Sequence, residues 1–274
     1  MQKMDTGGNT PVFRPLEVKV TSSYPAQDVL TRNVRLNMVR DWPRFHLRED
    51  YDKPRDKPIA ICAGGPSLAD HLDEVDRFDD IMVCGSAHDY LISETIVPTY
   101  SVQLDGGIEA RKFFNYRHSS IQYLMASQCD QVMFTGLPRS QVSMWHAVGC
   151  VDNEHFGGDP AIGGGCTTTL RAMCVAIMLG YHDLHMFGFD SCFEDVNSQH
   201  AYDYEEWGSN LKSFLVNVDG GRAFKSNGLF LAQAQQFQEM CKNFGHRFEP
   251  HVYGDGLIAH MINVGKLKTG EPHE

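Results

Sequence analysis

The chain has 274 residues, 42% of them hydrophobic and 22% charged, the proportions of a folded globular protein long enough to bury a substantial core. Its formal charge of −11 argues against broad, sequence-independent attraction to DNA or RNA, which needs a basic surface. No apolar run approaches the roughly 20 residues that span a bilayer, and Met1–Thr10 is too polar for a secretory signal, so a cytoplasmic location is expected.

Residues 1–56 form a poorly patterned extension expected to pack on the main domain, and they are a candidate assembly contact for a homo-oligomer. Within it, Thr31–Phe45 carries Val34, Leu36, Met38, Val39 and Trp42 and predicts a helix; the charged run Arg48–Lys57 reads as a solvated connector. From residue 57 to 265 the pattern changes. Apolar runs alternate with amphipathic segments, which predicts an α/β fold with an open, mostly parallel sheet and helices on both faces. Strands are expected at Ile59–Ala63, Ile81–Gly85, Tyr100–Asp105, Ile121–Ala126 and Gln131–Thr135. Residues 137–165 read as a long irregular segment, in which Trp145 is a loop anchor or stacking residue and His146 and His155 are expected to be exposed.

Thr167–Leu179 predicts a helix, and Leu184–Asp190 a strand ending in a carboxylate. Ser191–Gly221, polar and aromatic, reads as an inserted flap. Asn227–Asn243 predicts a helix, Arg247–Tyr253 a final strand, Leu257–Ile262 a short helix, and 266–274 a loose tail. The eight cysteines form no CxxC pair and several sit in apolar runs, so core thiols are expected rather than disulfides or a zinc site. Thirteen histidines are dispersed without an HExxH pattern.

Chemistry is expected at the carboxyl ends of the strands. Gly64-Gly65-Pro66-Ser67 follows the first strand; two glycines, a proline suited to a first helical turn and a hydroxyl fit either a phosphate cradle or a bare tight turn. Gly85-Ser86 follows the second strand. Asp105 ends the third, as a helix cap, a grip on a ribose or sugar hydroxyl, or a magnesium ligand. Gly163-Gly164-Gly165-Cys166-Thr167-Thr168-Thr169 enters a helix and suits an anion, although it lacks the Lys-Ser/Thr ending of a P-loop. Asp190 and His200 follow, with Tyr202 and Trp207 in the flap; a histidine can take a proton from an acceptor hydroxyl near neutral pH. Arg111, Lys112, Arg139 and Arg171 are the nearest cations in sequence.

These motifs, in this order, resemble the MptE-like family, named for the archaeal 6-hydroxymethylpterin diphosphokinase and itself similar to motility accessory factors and bacterial sialyltransferases. The likeness rests on Ala63-Gly64-Gly65-Pro66-Ser67-Leu68, on Val83–Ala87, on Val97–Asp105, on Gly164–Thr168 and on Gly188-Phe189-Asp190. Ala63 stands where the family has its first glycine, and Thr99 where it has an aspartate after the proline. The resemblance implies a Rossmann-like domain that transfers a group from a nucleotide donor to a hydroxyl acceptor. A glycosyltransferase using a nucleotide sugar is the leading expectation. Its nucleotide site would comprise Gly64, Gly65, Pro66, Ser67, Gly85, Ser86, Gly164, Gly165, Thr167 and Thr168, with His200, Asp190 and Asp105 catalytic and Tyr202 on the substrate. The rivals are diphosphate transfer from ATP, with Mg held by Asp105 and Asp190, and a non-catalytic nucleotide-binding or scaffold protein.

Overall fold

Ile59–Cys62, four consecutive buried residues, form the strand from which the sheet grows in both directions. In the computed structural model, residues 25–46, 53–193, 200–201, 213–218 and 222–268 are described. They form, in chain order, α1 (Gln27–Val39), β1 (Ile59–Cys62), α2 (Leu72–Val75), β2 (Ile81–Cys84), α3 (Ala87–Ser93), β3 (Tyr100–Gln103), β4 (Gln122–Ala126), α4 (Gln131–Phe134), β5 (Val142–Ala147), β6 (Ala161–Ile162), α5 (Thr168–Met178), β7 (Asp183–Phe187), β8 (Phe214–Asn217), β9 (Ala223–Ser226), α6 (Gly228–Phe244), β10 (Glu249–Val252) and α7 (Leu257–Lys268). A 3-10 turn, Pro66–His71, leads into α2.

Eight strands make one sheet in the order β10-β7-β1-β2-β3-β4-β5-β6, with every pairing parallel. β8 and β9 pair antiparallel outside it. Both faces of the central strands are buried, as parallel strands require. Ile59, Ile61, Met82 and Cys84 pack with Leu170 and Met173 of α5 and Phe237 of α6. Ala60, Cys62, Ile81 and Val83 pack with Leu68, Val75, Ala87 and Leu91 on the other side. The chain runs outward from β1 to β6, then returns to β1's other flank with β7. Strand order therefore reverses between β1 and β7, and the loops leaving these two strands open a crevice between them.

α1 is fastened to this sheet by buried amides. Asn33 Nδ2 donates to the carbonyls of Gly106 and Gln128, each at 3.0 Å, and Asn37 Nδ2 to those of Ser127 and Cys129 at 2.9 and 2.8 Å. The helix starts and ends earlier than the predicted Thr31–Phe45.

Two expectations fail between residues 131 and 165. Gln131–Thr135 is not a strand but the short helix α4, nucleated by Asp130, whose Oδ1 accepts the Val132 N–H at 2.9 Å; a five-residue apolar run does not distinguish the two by periodicity. The strand next to β4 is β5, inside the stretch expected to be irregular. Its polar residues disguised it. His146 is buried, with Nδ1 2.8 Å from Ser127 Oγ and its ring stacked on Phe156. Trp145 is a core residue whose Nε1 donates to the Leu124 carbonyl at 3.1 Å. All eight cysteines are free thiols, and Cys166 is the exposed one. Among the described residues, no helix is long and apolar enough to cross a membrane.

Candidate functional site

The turn after β1 is held by the strand it faces. Ala63 N–H donates to the Phe187 carbonyl at 2.9 Å and Gly65 N–H to the Gly188 carbonyl at 2.8 Å, which carries the β1–β7 pairing past the strand ends. A side chain at Gly65 would collide with the Gly188 carbonyl and with Asp190 Oδ2. That carboxylate accepts the Ser67 N–H at 3.0 Å, satisfying a donor at the start of the 3-10 turn. Asp190 is itself buried beneath the turn after β10: a Cβ at Gly256 would lie 2.6 Å from its Cα, and one at Gly254 3.3 Å from its Oδ1.

Ser191 follows with φ of +54°, a left-handed conformation uncommon for a side-chain-bearing residue. Its Oγ is buried without a hydrogen-bond partner, and so is Ser67 Oγ. Buried hydroxyls without partners are rare in folded proteins; here two flank one carboxylate at a strand-order reversal, which makes the crevice the candidate site.

Two adjoining cavities open there, sharing Asp190 and Cys192. The smaller, about 170 Å³, is lined by Gly64, Gly65, Gly85, Ser86, Thr167, Thr168, Thr169, Asp190, Ser191 and His200. The larger, about 830 Å³, is walled by Pro66, Ser67, Asp70, His71, Asp190, Arg222, Lys225 and Gly254–Gly256. Only the larger lies in the usual size range of organic-ligand pockets, about 300–1,000 Å³; the smaller has the dimensions of a phosphate group and its hydration.

Two donor sets face the smaller cavity. Thr167 caps α5, its Oγ1 accepting the Leu170 N–H at 3.4 Å, so the helix starts at the cavity wall with its N–H groups unpaired within the helix. His200 Nδ1 lies 3.0 Å from the Gly64 carbonyl, which also accepts the Ala201 N–H at 3.1 Å. A carbonyl only accepts, so Nδ1 carries the proton and Nε2 is the basic nitrogen. Burial pushes the pKa of the Cys84 thiol up to about 12 and that of the Cys192 thiol up to about 11, which favours the protonated thiol over the thiolate.

The structure thus gathers Gly64, Gly65, Gly85, Ser86, Thr167, Thr168, Asp190 and His200 around one small cavity, and Pro66 and Ser67 around its larger neighbour. Gly164 and Gly165 line neither. They pack on α5 and α6, where a Cβ at Gly164 would lie 2.7 Å from Cys174 Sγ and one at Gly165 2.8 Å from Gln236 Oε1. Asp105 lines neither cavity; its Oδ1 accepts the Gly107 N–H at 2.9 Å, and the protein crowded around its carboxylate raises its pKa although its edge reaches solvent. Tyr202 and Trp207 lie outside the described residues.

Of the cations singled out in the sequence, Arg111, Arg139 and Arg171 serve the backbone instead. Arg171 is buried and donates to the carbonyls of Ile162 and Val148 at 2.6 and 2.8 Å, and Arg139 donates to that of Arg40 at 3.1 Å. Arg222 and Lys225 take their place beside the larger cavity. Arg222 holds Asp255 in a two-pronged pair that lowers the Asp255 pKa. The sequence offered little signal for them, since both sit in the unassigned stretch between the segment read as a flap, Ser191–Gly221, and the predicted helix Asn227–Asn243. Gly254-Asp255-Gly256, between the predicted final strand and the short helix, has the composition of a turn but carries no sequence signal as a wall of the site.

Of the two expected magnesium ligands, Asp105 lines neither cavity, while Asp190 lines both and accepts the Ser67 N–H through one carboxylate oxygen.

Comparison with protein families matches residues 31–196, more than half of the chain, to the family described as 6-hydroxymethylpterin diphosphokinase MptE-like. Among solved structures, the chain is similar to the MAf glycosyltransferase of Magnetospirillum magneticum AMB-1, with a TM-score of 0.62 and 14% identity, over 88% of this chain and 42% of that one. It thus spans less than half of that enzyme's length, and the likeness is one of fold. A mammalian sialyltransferase, solved with Gal-beta-1-3GalNAc-ortho-nitrophenol, aligns over 81% of this chain and 85% of its own, with a TM-score of 0.42 and 10% identity. Comparison with curated proteins gives no match.

Proposed function

The chain belongs to the MptE-like family, and from that premise we propose that it is a transferase which moves a sugar from a nucleotide-sugar donor to a hydroxyl acceptor without a carboxylate-bound metal. The observation that carries this reading is the bond between His200 Nδ1 and the Gly64 carbonyl. It holds the His200 ring over the glycine turn, beside the start of α5, where our reading needs a general base.

In this reading the donor phosphate occupies the smaller cavity, against the α5 N–H groups and the hydroxyls of Thr167 and Thr168. The rest of the donor and the acceptor share the larger cavity, where Ser67 Oγ, Arg222 and Lys225 supply polar contacts. His200 Nε2 takes the proton of the acceptor hydroxyl as its oxygen bonds to the anomeric carbon. The bond from that carbon to the phosphate oxygen breaks, and its electron pair leaves with the nucleotide. Fixed N–H groups aimed at the departing phosphate stabilise charge that develops only in the transition state.

A thermal-shift panel of nucleotides and CMP- and UDP-sugars, with and without magnesium, tests the reading, because a ligand that binds only the folded state raises the Tm. A shift with a nucleotide sugar, nucleotide release without magnesium and loss of that release in His200→Gln are expected. AMP release from ATP with strict magnesium dependence would replace it with diphosphate transfer. Binding with no turnover, unaffected by His200→Gln, would replace it with a non-catalytic nucleotide-binding role.

A further inference from the structure

At the sheet edge, β7 and β10 run side by side with Asp183 opposite Glu249 and His185 opposite His251. Residues two apart on a strand share a face, so these four side chains project together. The His185 and His251 rings stack, 4.5 Å between centres and 21° between planes. Their Nε2 atoms converge on a single oxygen, Asp183 Oδ1, at 3.2 and 3.1 Å. That oxygen is shielded from solvent yet receives no well-directed hydrogen bond. All three ligand-type atoms lie within 4.8 Å of one another.

We propose that Asp183, His185 and His251 bind one divalent transition-metal ion of the zinc class. Donor atoms about 2.0–2.1 Å from a tetrahedral ion lie about 3.3 Å apart, and both nitrogen-to-oxygen separations are close to that edge. Tyr253 completes the arrangement from behind: its hydroxyl is 2.8 Å from His185 Nδ1. That contact suits a protonated Nδ1 and leaves the Nε2 lone pair facing Asp183, the outer-shell pattern of metal-bound histidines. Phe78 walls one side, its ring centre 4.8 Å from that of His185. Glu249 Oε1, 3.7 Å from His251 Nε2 on an exposed side chain, or water supplies the fourth donor. The ion would clip the edge strand β10 to β7. It would thereby hold the Gly254–Gly256 turn, which follows β10, against Asp190. This site lies outside the crevice and does not depend on the transferase reading.

The test uses the full chain, stripped with a chelator and reloaded with Zn2+. Metal content near one ion per chain is expected, with a rise in Tm on reloading. Both effects should vanish in His251→Asn and in Asp183→Asn, exchanges at partly exposed positions, the second of which keeps side-chain size. Tyr253→Phe should weaken Zn2+ binding by about 10–100-fold, the usual loss of an outer-shell partner. Co2+ in place of zinc should give visible ligand-field bands without the charge-transfer band of a thiolate. Failure to bind Zn2+, metal content unchanged in folded His251→Asn, or a thiolate band pointing to the exposed Cys166 would each overturn the proposal.

Discussion

Asp190 Oδ2 accepts the Ser67 N–H at 3.0 Å, so the loop leaving β7 closes onto the turn leaving β1 across 123 residues of chain. On the proposed reading this makes Asp190 a positioning residue for the crevice. Asp190→Ala leaves a buried donor unpaired, which costs about 1–3 kcal/mol, and it should also lower affinity for the nucleotide. Asp190→Asn retains an acceptor oxygen and should fall within about 1 kcal/mol of the parent protein in urea melts. An Asn variant as unstable as the Ala variant would show that the charge, and not the accepted hydrogen bond, holds the crevice.

The two glycine segments should respond differently to a methyl group. At Gly65 the new Cβ meets the Asp190 carboxylate and the Gly188 carbonyl, so Gly65→Ala is expected to cost about 1–3 kcal/mol by overpacking and to abolish the nucleotide-induced Tm shift. Gly163 has open space around it and no left-handed φ. There Gly163→Ala should stabilise by about 0.5 kcal/mol, through a less flexible unfolded chain. Paired melts of the two variants, with and without nucleotide, check both statements.

How far the sequence revealed this site depended on where each signal lay. The β1 end was legible because an apolar run buried on both faces breaks sharply into glycines and a hydroxyl residue, and the β7 end because Phe187-Gly188-Phe189 stops at a carboxylate. β5 was not, because His146 and Ser143 interrupt its apolar pattern and the structure satisfies His146 through residues distant in the chain, Ser127 on Nδ1 and Asp159 on Nε2. The glycines at Gly164 and Gly165 have the composition of a phosphate loop, but their function is to let the chain pass close to α5 and α6. Thr99, a departure from the family pattern, accepts the Ile81 N–H at 3.2 Å next to the start of β3, at the end of the sheet away from the crevice. Arg222 and Lys225 reach the larger cavity only through the β8–β9 pairing, which no local pattern announced.

His200 gives a separable kinetic prediction. Removing a positioned general base lowers the chemical step by about 10²–10⁴-fold. Replacement by Gln keeps an amide N–H for the Gly64 carbonyl. His200→Gln should therefore reduce kcat with the donor-induced Tm shift largely intact. A variant that loses donor binding in the same proportion would make His200 a binding residue instead.

His88 sets an acid limit on the fold. It is fully buried between β3 and the segment after Phe113, with Nε2 3.0 Å from the Tyr116 carbonyl and Nδ1 3.1 Å from Ser101 Oγ. Burial lowers its pKa to about 4, against the opposing pull of the Tyr116 carbonyl and the Asp89 charge, with Arg117 adding to the lowering. In the unfolded chain the same imidazole titrates near 6.5. Above that value both states are neutral and the site contributes its full share. As the pH falls from about 6.5 toward 4 the unfolded chain binds a proton that the folded chain refuses, and stability drops by about 3 kcal/mol. His88→Gln removes that titration. It should be less stable than the parent at pH 7.5 and should lose less on acidification, so the two curves of unfolding free energy against pH converge below pH 5. Parallel curves would mean that His88 takes up its proton in the folded state without penalty.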